Sequence, residues 1–396
     1  MTVSIGLAGK PNSGKSTFFK AATLVDVEIA SYPFTTVDAN HGMSHVRTKC
    51  PCKELKLECN NCIDGDRFVP VELVDVAGLV PDAHLGKGLG NEFLDNLRQT
   101  QAIIHVVDAS GGTDAEGNLV EIGTRDPVED VRFLEKEMTM WMYGIIKRHW
   151  AQLTRKIPSR DAKIERILAE RLMGVGANEV QIKVALHNAS LEGKITDWSD
   201  EDLLRLADEI RKVSKPMTLA ANKIDIAPEE NIKRLTSLEN ESYIVVLASA
   251  AAELALRMAD KKGVIKYLPG DANFQITAPE ELTSAQKEGL ERIRTLMKKY
   301  GSTGVQQCID KAIFGLLDHI VIYPVEDENK FTDKDGNVLP DAFLMKRGGT
   351  AHDMAYMVHT DLGEGFLYAV DAKTKRRISE EHVLQDGDII KIVSTK

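Results

Sequence analysis

The sequence predicts an α/β protein with a mainly parallel sheet, an inserted helical segment and a small β-rich domain at the end of the chain. Three observations predict it. Val3-Ser4-Ile5-Gly6-Leu7-Ala8 is an apolar run of strand length, Gly9 to Gly14 reads as a turn, and Lys15 to Ala21 reads as a helix start. Strand, glycine loop and helix in that order open a βαβ unit. Four more apolar runs, Val69 to Val76, Ala102 to Asp108, Met217 to Ala221 and Tyr243 to Ala248, recur between helical patterns. Continuous apolar strands of this kind are buried on both faces, as in parallel sheets. Between Asp108 and Met217 the pattern changes to long amphipathic stretches, Val128 to Arg155, Asp161 to Leu172, Glu179 to Leu191 and Asp200 to Val213, which form the insertion. Their exposed charges are either a solvated face or a docking surface.

After Ser249 the chain continues through helical patterns at Ser284 to Lys299 and Gly304 to Leu317, then alternates as strands at His319 to Val325, Phe366 to Val370 and Asp388 to Val393. One helix fits between these strands, with Thr350 as N-cap, Asp353 three residues on, and Met354 to Val358 following. The predicted division is 1–110 with 217–317 as one discontinuous domain, 111–216 as the insertion and 318–396 as the closing domain.

Length and composition exclude several classes. With 396 residues the chain is long enough for two or three cores. Its 43% hydrophobic and 28% charged content argues against disorder, and no apolar run approaches the roughly 20 residues of a membrane span. The first strand begins too near Met1 to leave room for a secretory leader, so a cytoplasmic protein is expected, with no membrane partner. A net charge of -10 disfavours a general nucleic-acid coat but leaves room for a local basic patch.

The chemistry concentrates in short motifs, each at the end of a strand candidate. Gly9-Lys10-Pro11-Asn12-Ser13-Gly14-Lys15-Ser16 fits G-x-x-x-x-G-K-[ST] between a strand and a helix. Its backbone N–H groups converge on phosphate oxygens, Lys15 reaches the β- and γ-phosphates, and the Ser16 hydroxyl ligates Mg²⁺. Asn12, Ser13, Gly14 and Thr17 belong to the same nucleotide cradle. Asp75-Val76-Ala77-Gly78 follows a strand, with Asp75 able to hold Mg²⁺ through water and the Gly78 N–H able to reach the γ-phosphate. Asn222-Lys223-Ile224-Asp225 follows another, and Asp225 can accept both the N1–H and the 2-amino group of guanine. Adenine offers no such donor pair, so GTP is expected over ATP. Ser249 and Ala250 stand where they can contact the guanine O6.

With these residues placed, the chain resembles the Obg-like GTPases, and among them the YchF type that ends in a TGS domain. The match rests on the phosphate loop Gly9 to Thr17, Ser31-Tyr32-Pro33-Phe34-Thr35-Thr36, Val74 to Val80, Leu85 to Asn91, and Tyr323-Pro324-Val325-Glu326-Asp327-Glu328. The resemblance implies a P-loop GTPase domain, a helical insertion and a C-terminal β-grasp (TGS-like) domain. It implies that Thr36, or its neighbour Thr35, closes over Mg²⁺ and the γ-phosphate, which places Lys15, Thr36 and Gly78 at the reacting phosphate. Leu79 stands where Ras-type proteins carry a water-orienting glutamine, and its aliphatic side chain cannot orient water. Related GTPases with this replacement use a K⁺ ion held partly by the P-loop asparagine, here Asn12. His84 is either a water-positioning residue or a switch-loop histidine without a catalytic role. Many YchF-type proteins have lost Asn-Lys-x-Asp and prefer ATP, whereas Asn222, Lys223 and Asp225 are intact here.

Two features lie outside these motifs. Cys50, Cys52, Cys59 and Cys62 can give tetrahedral thiolate ligation of Zn²⁺, against reduced surface thiols or, least in keeping with a cytoplasmic chain, disulfides; Cys308 reads as core packing. Lys373, Lys375, Arg376 and Arg377 gather around one turn, either a solvated surface or a phosphate-contacting element. The resemblance to TGS domains implies RNA or ribosome contact for that domain. The expected activity is GTP hydrolysis to GDP and phosphate by a nucleotide-dependent switch acting on the ribosome or RNA through the TGS-like domain and the insertion. A non-enzymatic ribosome- or RNA-binding module with nucleotide as structural ligand, and an ATP-preferring hydrolase, are the competing expectations.

Overall fold

Strand β1 (Ser4–Ala8), buried along its whole length, leads through loop 9–14 into helix α1 (Lys15–Thr23). The computed structural model describes residues 2–24, 41–76, 96–156, 164–191 and 194–395. Strands β2 (His41–Lys49), β3 (Cys62–Ile63), β4 (Asp66–Asp75) and β5 (Ala102–Asp108) follow. Helices α2 (Pro127–Lys156), α3 (Ile164–Leu172), α4 (Glu179–Ala189) and α5 (Asp200–Ser214) then separate β5 from β6 (Met217–Asn222). Helix α6 (Glu229–Ser237), strand β7 (Ile244–Leu247) and helix α7 (Ala250–Lys261) complete this part.

The seven-stranded sheet has the order β2-β4-β1-β5-β6-β7, with β3 also on β4. Strands β4, β1, β5, β6 and β7 run parallel, while β2 and β3 pair antiparallel to β4. The central strands β1, β5 and β6 are buried on both faces, which is why their sequences are continuously apolar rather than alternating. The register Leu7↔Asp75, Ala8↔His105 and Asp108↔Asn222 brings the carboxyl ends of four strands to one edge. In open parallel sheets that edge is where ligands bind.

Phe18 of α1 packs on one face of the sheet with Leu7 and Ile104; Leu134 and Met138 of α2 pack on the other with Val74 and Ile103. The sequence reading did not include β2, because His41-Gly42-Met43-Ser44-His45 is polar and is held by its nine-residue antiparallel register with β4 rather than by its own apolar pattern. Gly42 lets α1 lie close over β2, since a Cβ there would stand 2.6 Å from Thr23 and 2.8 Å from the Phe19 ring.

The insertion has its own core, in which Met142 and Ile146 of α2 meet Leu168, Leu172, Ile182, Leu203, Leu206 and Ile210. Capping boxes start α4 (Asn178 with Gln181) and α5 (Ser199 with Asp202), satisfying N–H groups that a helix end leaves unpaired. The 30-residue α2, about 45 Å long, extends from this core to the sheet. Among the described residues no helix is long and apolar enough to cross a membrane.

Strands β8 (Ile265–Lys266) and β9 (Gln275–Ile276) form a two-stranded ladder before α8 (Ser284–Tyr300). The helix expected at Gly304 to Leu317 is instead α9 (Val305–Asp310) running into a π turn at Lys311–Leu316. The closing sheet contains β10 (His319–Val325), β11 (Phe343–Lys346), β12 (Phe366–Asp371), β13 (Arg376–Ile378) and β14 (Ile389–Ser394), in the order β11-β10-β14-β12-β13. Two helices lie between its strands rather than the one expected. α10 (Ala351–Val358) has the Thr350/Asp353 capping box, and the five-residue α11 (Thr360–Glu364) is capped by His359. Ala351 and Met354 pack with Ile320, Ile322 and Ile390, while Val321, Tyr323 and Ile389 join the core formed by Val46, Val69 and Val71 of the larger sheet.

His105 lies in the middle of β5, buried, with no hydrogen-bond partner for Nδ1 among the described residues. Burial, aided by the Lys10 charge, lowers its pKa from 6.5 to about 3. The unfolded chain therefore takes up a proton as pH falls through 6.5 and the folded chain does not. Stability conferred by the neutral ring is present above that pH and falls below it by about 1.4 kcal/mol per pH unit. Between pH 7.5 and pH 5, urea unfolding of His105→Gln is expected to lose about 2 kcal/mol less than the wild type; equal losses would contradict the buried neutral ring.

Candidate functional site

The site begins with a backbone conformation. Gly14, at φ 91°, is the N-cap of α1, and no side chain caps that helix. The N–H groups of its first turn therefore point out of the loop, where the helix dipole favours an anion. Asn12 is also left-handed, at φ 60°. The glycine at position 9 is required by packing, because a Cβ would stand 2.6 Å from the Val106 carbonyl oxygen. Ser13 is buried, and its Oγ has no partner among the described residues, as expected of a polar group in a cradle shaped for phosphate.

Asn222, at the end of β6, braces this loop. Its Nδ2 donates to the Ser13 carbonyl at 2.9 Å, and its Oδ1 accepts from the Ala250 N–H at 2.9 Å. The brace ties the phosphate loop to the start of α7, and a Cβ on Gly14 would stand 2.3 Å from the same Nδ2. Lys223 Nζ donates to the Asn12 carbonyl at 2.7 Å and pairs with Asp108 at 2.9 Å. Asp225 accepts from Ser249 Oγ at 2.8 Å, and Ser249 Oγ also receives the Ala252 N–H at 3.3 Å as the cap of α7. This fixes the Asp225 carboxylate at the rim of a cavity of about 680 Å³ lined also by Ile224, Ala227, Ala252 and Lys299.

At the phosphate end, Lys15 Nζ is paired with the Asp75 carboxylate, and the Ser16 side chain is exposed beside it at the start of α1. A hydroxyl and a carboxylate are the hard oxygen donors that Mg²⁺ takes, so Ser16 and Asp75 fit that ion. Thr17, half-buried in the first turn of α1, completes the sequence-derived cradle. The structure thus brings Asn12, Ser13, Gly14, Lys15, Ser16, Thr17, Asp75, Asn222, Lys223, Asp225, Ser249 and Ala250 to one sheet edge. Thr36 and Gly78, with Thr35, Leu79 and His84, lie outside the described residues.

Several contributors were not singled out from sequence. Asp108 holds Lys223 and accepts from Ser110 Oγ at 2.6 Å and Thr113 Oγ1 at 2.8 Å. Buried Lys10 donates to the Thr113 carbonyl at 2.8 Å and pairs with Asp130 of α2 at 2.6 Å. Asn12 Nδ2 donates to the Gly117 carbonyl at 3.0 Å. Only the terminal position of Asp108 on an apolar strand was a usable signal, because Thr113 and Gly117 reach the site through a loop of more than 100 residues' separation.

The other two features are placed elsewhere. The four clustered cysteines converge in the β2–β3–β4 excursion, with their Sγ atoms all within 4.8 Å of one another. The basic turn joins β12 and β13 and is exposed; Lys375 covers the Phe331 ring at 4.6 Å and Arg377 the Tyr368 ring at 3.5 Å. Cys308 is buried in the main core, as expected.

Family models match three segments: 50S ribosome-binding GTPase over residues 4–136, the G4 motif-containing domain of YGR210-like Obg-like GTPases over 220–327, and TGS domain over 330–394. A GTP-binding protein of Methanocaldococcus jannaschii is 52% identical over 395 residues, covering 98% of each chain. A Bacillus subtilis protein named ribosome-binding ATPase YchF is 27% identical over 420 residues, again covering 98% of each chain. The crystal structure of a GTP binding protein from Pyrococcus horikoshii superposes with a TM-score of 0.79 at 44% identity, covering 99% of this chain and 100% of that one. The YchF GTPase of Schizosaccharomyces pombe has the same fold, with a TM-score of 0.58 at 20% identity and coverage of 99% and 98%.

Replacing Asn222 with Ala leaves the Ser13 carbonyl and the Ala250 N–H unpaired in a buried place. Asn222→Ala is expected to lower the unfolding free energy by about 2–4 kcal/mol in urea titration, and a loss below about 1 kcal/mol would mean that the brace is not structural.

Proposed function

The chain belongs to the Obg-like GTPases of the YchF type, and from that premise we propose that it selects GTP over ATP, hydrolyses it to GDP and phosphate, and acts as a nucleotide-dependent switch on the ribosome. The proposed organisation is a P-loop domain over 1–110 and 217–317, a helical insertion over 111–216, and a TGS-like domain over 318–396. The proposed compartment is the cytoplasm.

The observation that carries the guanine reading is the held carboxylate. Asp225 is oriented by Ser249, and its neighbours Asn222 and Lys223 are bonded to the phosphate loop, so base and phosphate ends are built into one frame. A carboxylate at the purine edge accepts two N–H groups from guanine, whereas adenine presents the N1 lone pair to it. A site built to satisfy such donors rejects a base that lacks them by large factors. The Bacillus subtilis relative's name, ribosome-binding ATPase, favours adenine as the second reading. The intact Asn222-Lys223-x-Asp225 set supports guanine.

In hydrolysis, water adds to the γ-phosphorus as the bond to the bridging oxygen of GDP breaks. Lys15 exchanges its Asp75 partner for phosphate oxygens, and the N–H groups at the start of α1 meet the charge that develops on them. Ser16, Asp75 and Thr36 are the proposed Mg²⁺ ligands, and Mg²⁺ when bound neutralises charge across the β- and γ-oxygens. Gly78 is the proposed N–H donor to the γ-phosphate. Since Leu79 cannot orient water, slow unstimulated turnover is expected, and a K⁺ ion beside Asn12 is proposed to add positive charge at the phosphates. The Asn12 amide nitrogen is tied to Gly117, which leaves its side-chain oxygen as the atom that would hold a K⁺ ion.

The ribosome reading rests on the TGS domain, on the ribosome-binding names among the relatives and on the exposed basic turn. Lys375 and Arg377 already cover aromatic rings, so Lys373 and Arg376 are the proposed phosphate contacts. A lever from the site into the insertion is available through the buried Lys10–Asp130 pair, because Asp130 is on α2.

Single-turnover hydrolysis of GTP and ATP, in K⁺ and Na⁺ buffers of equal ionic strength and with or without ribosomes, tests the proposal. GTP turnover raised about tenfold or more by K⁺ is expected, corresponding to at least about 1.4 kcal/mol off the barrier, with the K⁺ effect lost in Asn12→Ala. Equal rates in both salts would remove the K⁺ reading. Tight GTP binding without turnover under every condition would leave a ribosome-binding module that holds nucleotide as a structural ligand.

A further inference from the structure

Between β2 and β4 the chain makes an excursion that its own ladder holds poorly, since β3 pairs with β4 over only two residues. The backbone is sharply folded there, with positive φ at Lys56, Asp64 and Gly65. What the folding achieves is convergence of four thiols. Cys50 Sγ lies 3.7 Å from Cys59 Sγ, Cys52 Sγ lies 3.6 Å from Cys62 Sγ, and Cys59 and Cys62 are 3.4 Å apart. Disulfide sulfurs would be about 2.0 Å apart. Four sulfurs placed tetrahedrally about 2.3 Å from one zinc ion have edges of about 3.8 Å. These three separations lie close to those edges, all four sulfurs are within 4.8 Å of one another, and all four cysteines are free thiols.

A second observation concerns charge. Arg67 is buried and stands opposite Cys62 in the β3–β4 register, which puts the two side chains on one face. Its Nη2 donates to the Pro340 carbonyl at 2.8 Å, and its Nη1 is buried with no hydrogen-bond partner among the described residues. Asp341 lies within electrostatic reach of this guanidinium, and further negative charge beside a buried cation stabilises it. Four thiolates around one divalent ion carry a net double negative charge, and they would lie beside it.

We propose that Cys50, Cys52, Cys59 and Cys62 bind a single structural Zn²⁺ ion and that the resulting knuckle seats the C-terminal domain on the GTPase sheet. Cys50 and Cys52 share a core with Tyr323, Leu339 and Ala342, and Asn61 Nδ2 donates to the Leu339 carbonyl at 3.3 Å. The knuckle is therefore the footing for the loop through Leu339 and Pro340. It also fixes the start of β4, the strand that ends on Asp75.

The test is elemental analysis of tag-free protein purified under reducing conditions, with a parallel sample stripped by chelator and reloaded with Zn²⁺. About one zinc per chain is expected in both, together with release of zinc in step with mercurial modification of four cysteines. Cys59→Ser/Cys62→Ser is expected to hold less than about a tenth of that zinc while its far-UV circular dichroism and GDP binding report whether it folds. On removing the ion from the wild type, amide exchange through 339–342 is expected to quicken. No stoichiometric zinc in the reloaded wild type overturns the proposal whether or not the variant folds. Stoichiometric iron in its place, undiminished zinc in the double variant, or unchanged exchange at 339–342 would each overturn the corresponding part.

Discussion

The Asn222 carboxamide is the interaction on which the site depends. One side chain, buried at the end of β6, bonds both the loop that cradles phosphate and the turn that begins α7. Asn222 stands 209 residues from Ser13 and 28 from Ala250 in sequence, and among the described residues no strand ladder joins the two segments it bonds. The parallel register supplies the coarse alignment by ending β1, β4, β5 and β6 at one edge, and the carboxamide sets the finer spacing. Asp225 and Ser249 are thereby tied to the same strand end as the phosphate loop, which is the frame the proposed guanine reading needs.

Beyond the sheet, two connections tie the site to the rest of the chain. Lys10 leaves the phosphate loop to meet Asp130, on a helix that also contributes Met142 and Ile146 to the inserted core. Burial of this pair makes separating it costly, so the phosphate loop and α2 are held together there. On the other flank, β4 carries Asp75 at one end and the cysteine excursion at the other, and its middle residues Val69 and Val71 share a core with Val321 and Tyr323. The nucleotide edge thus has mechanical neighbours on both sides, in the insertion and in the closing domain.

Much of this was legible in the chain because the central strands are continuously apolar. Ala102 to Asp108 and His319 to Val325 were read with the bounds they have in the structure, and Thr350 with Asp353 identified a helix start from two residues. The residues gathered at the sheet edge were singled out because P-loop chemistry requires particular residue types at short spacing. What escaped was structure supported from a distance. Strand β2 is polar and owes its conformation to β4. The break between α10 and α11 depends on His359 turning to cap a new helix. Lys10, Asp108 and Gly117 act through contacts across more than a hundred residues, which no local pattern records. The cysteine spacing left three outcomes open, and in the structure the four thiols are free and too far apart for disulfide bonds.

The central claim is that one frame holds a carboxylate for guanine against a cradle for phosphate. It is tested most directly by displacing fluorescent GDP with GTP, ATP and xanthosine triphosphate from the wild type and from Asp225→Asn. GTP is expected to outcompete ATP by at least about 100-fold in the wild type, and Asp225→Asn is expected to move the preference toward xanthosine triphosphate, whose C2 carbonyl accepts from the new amide. Equal displacement by ATP and GTP, or an Asp225→Asn variant with unchanged preference, would contradict it.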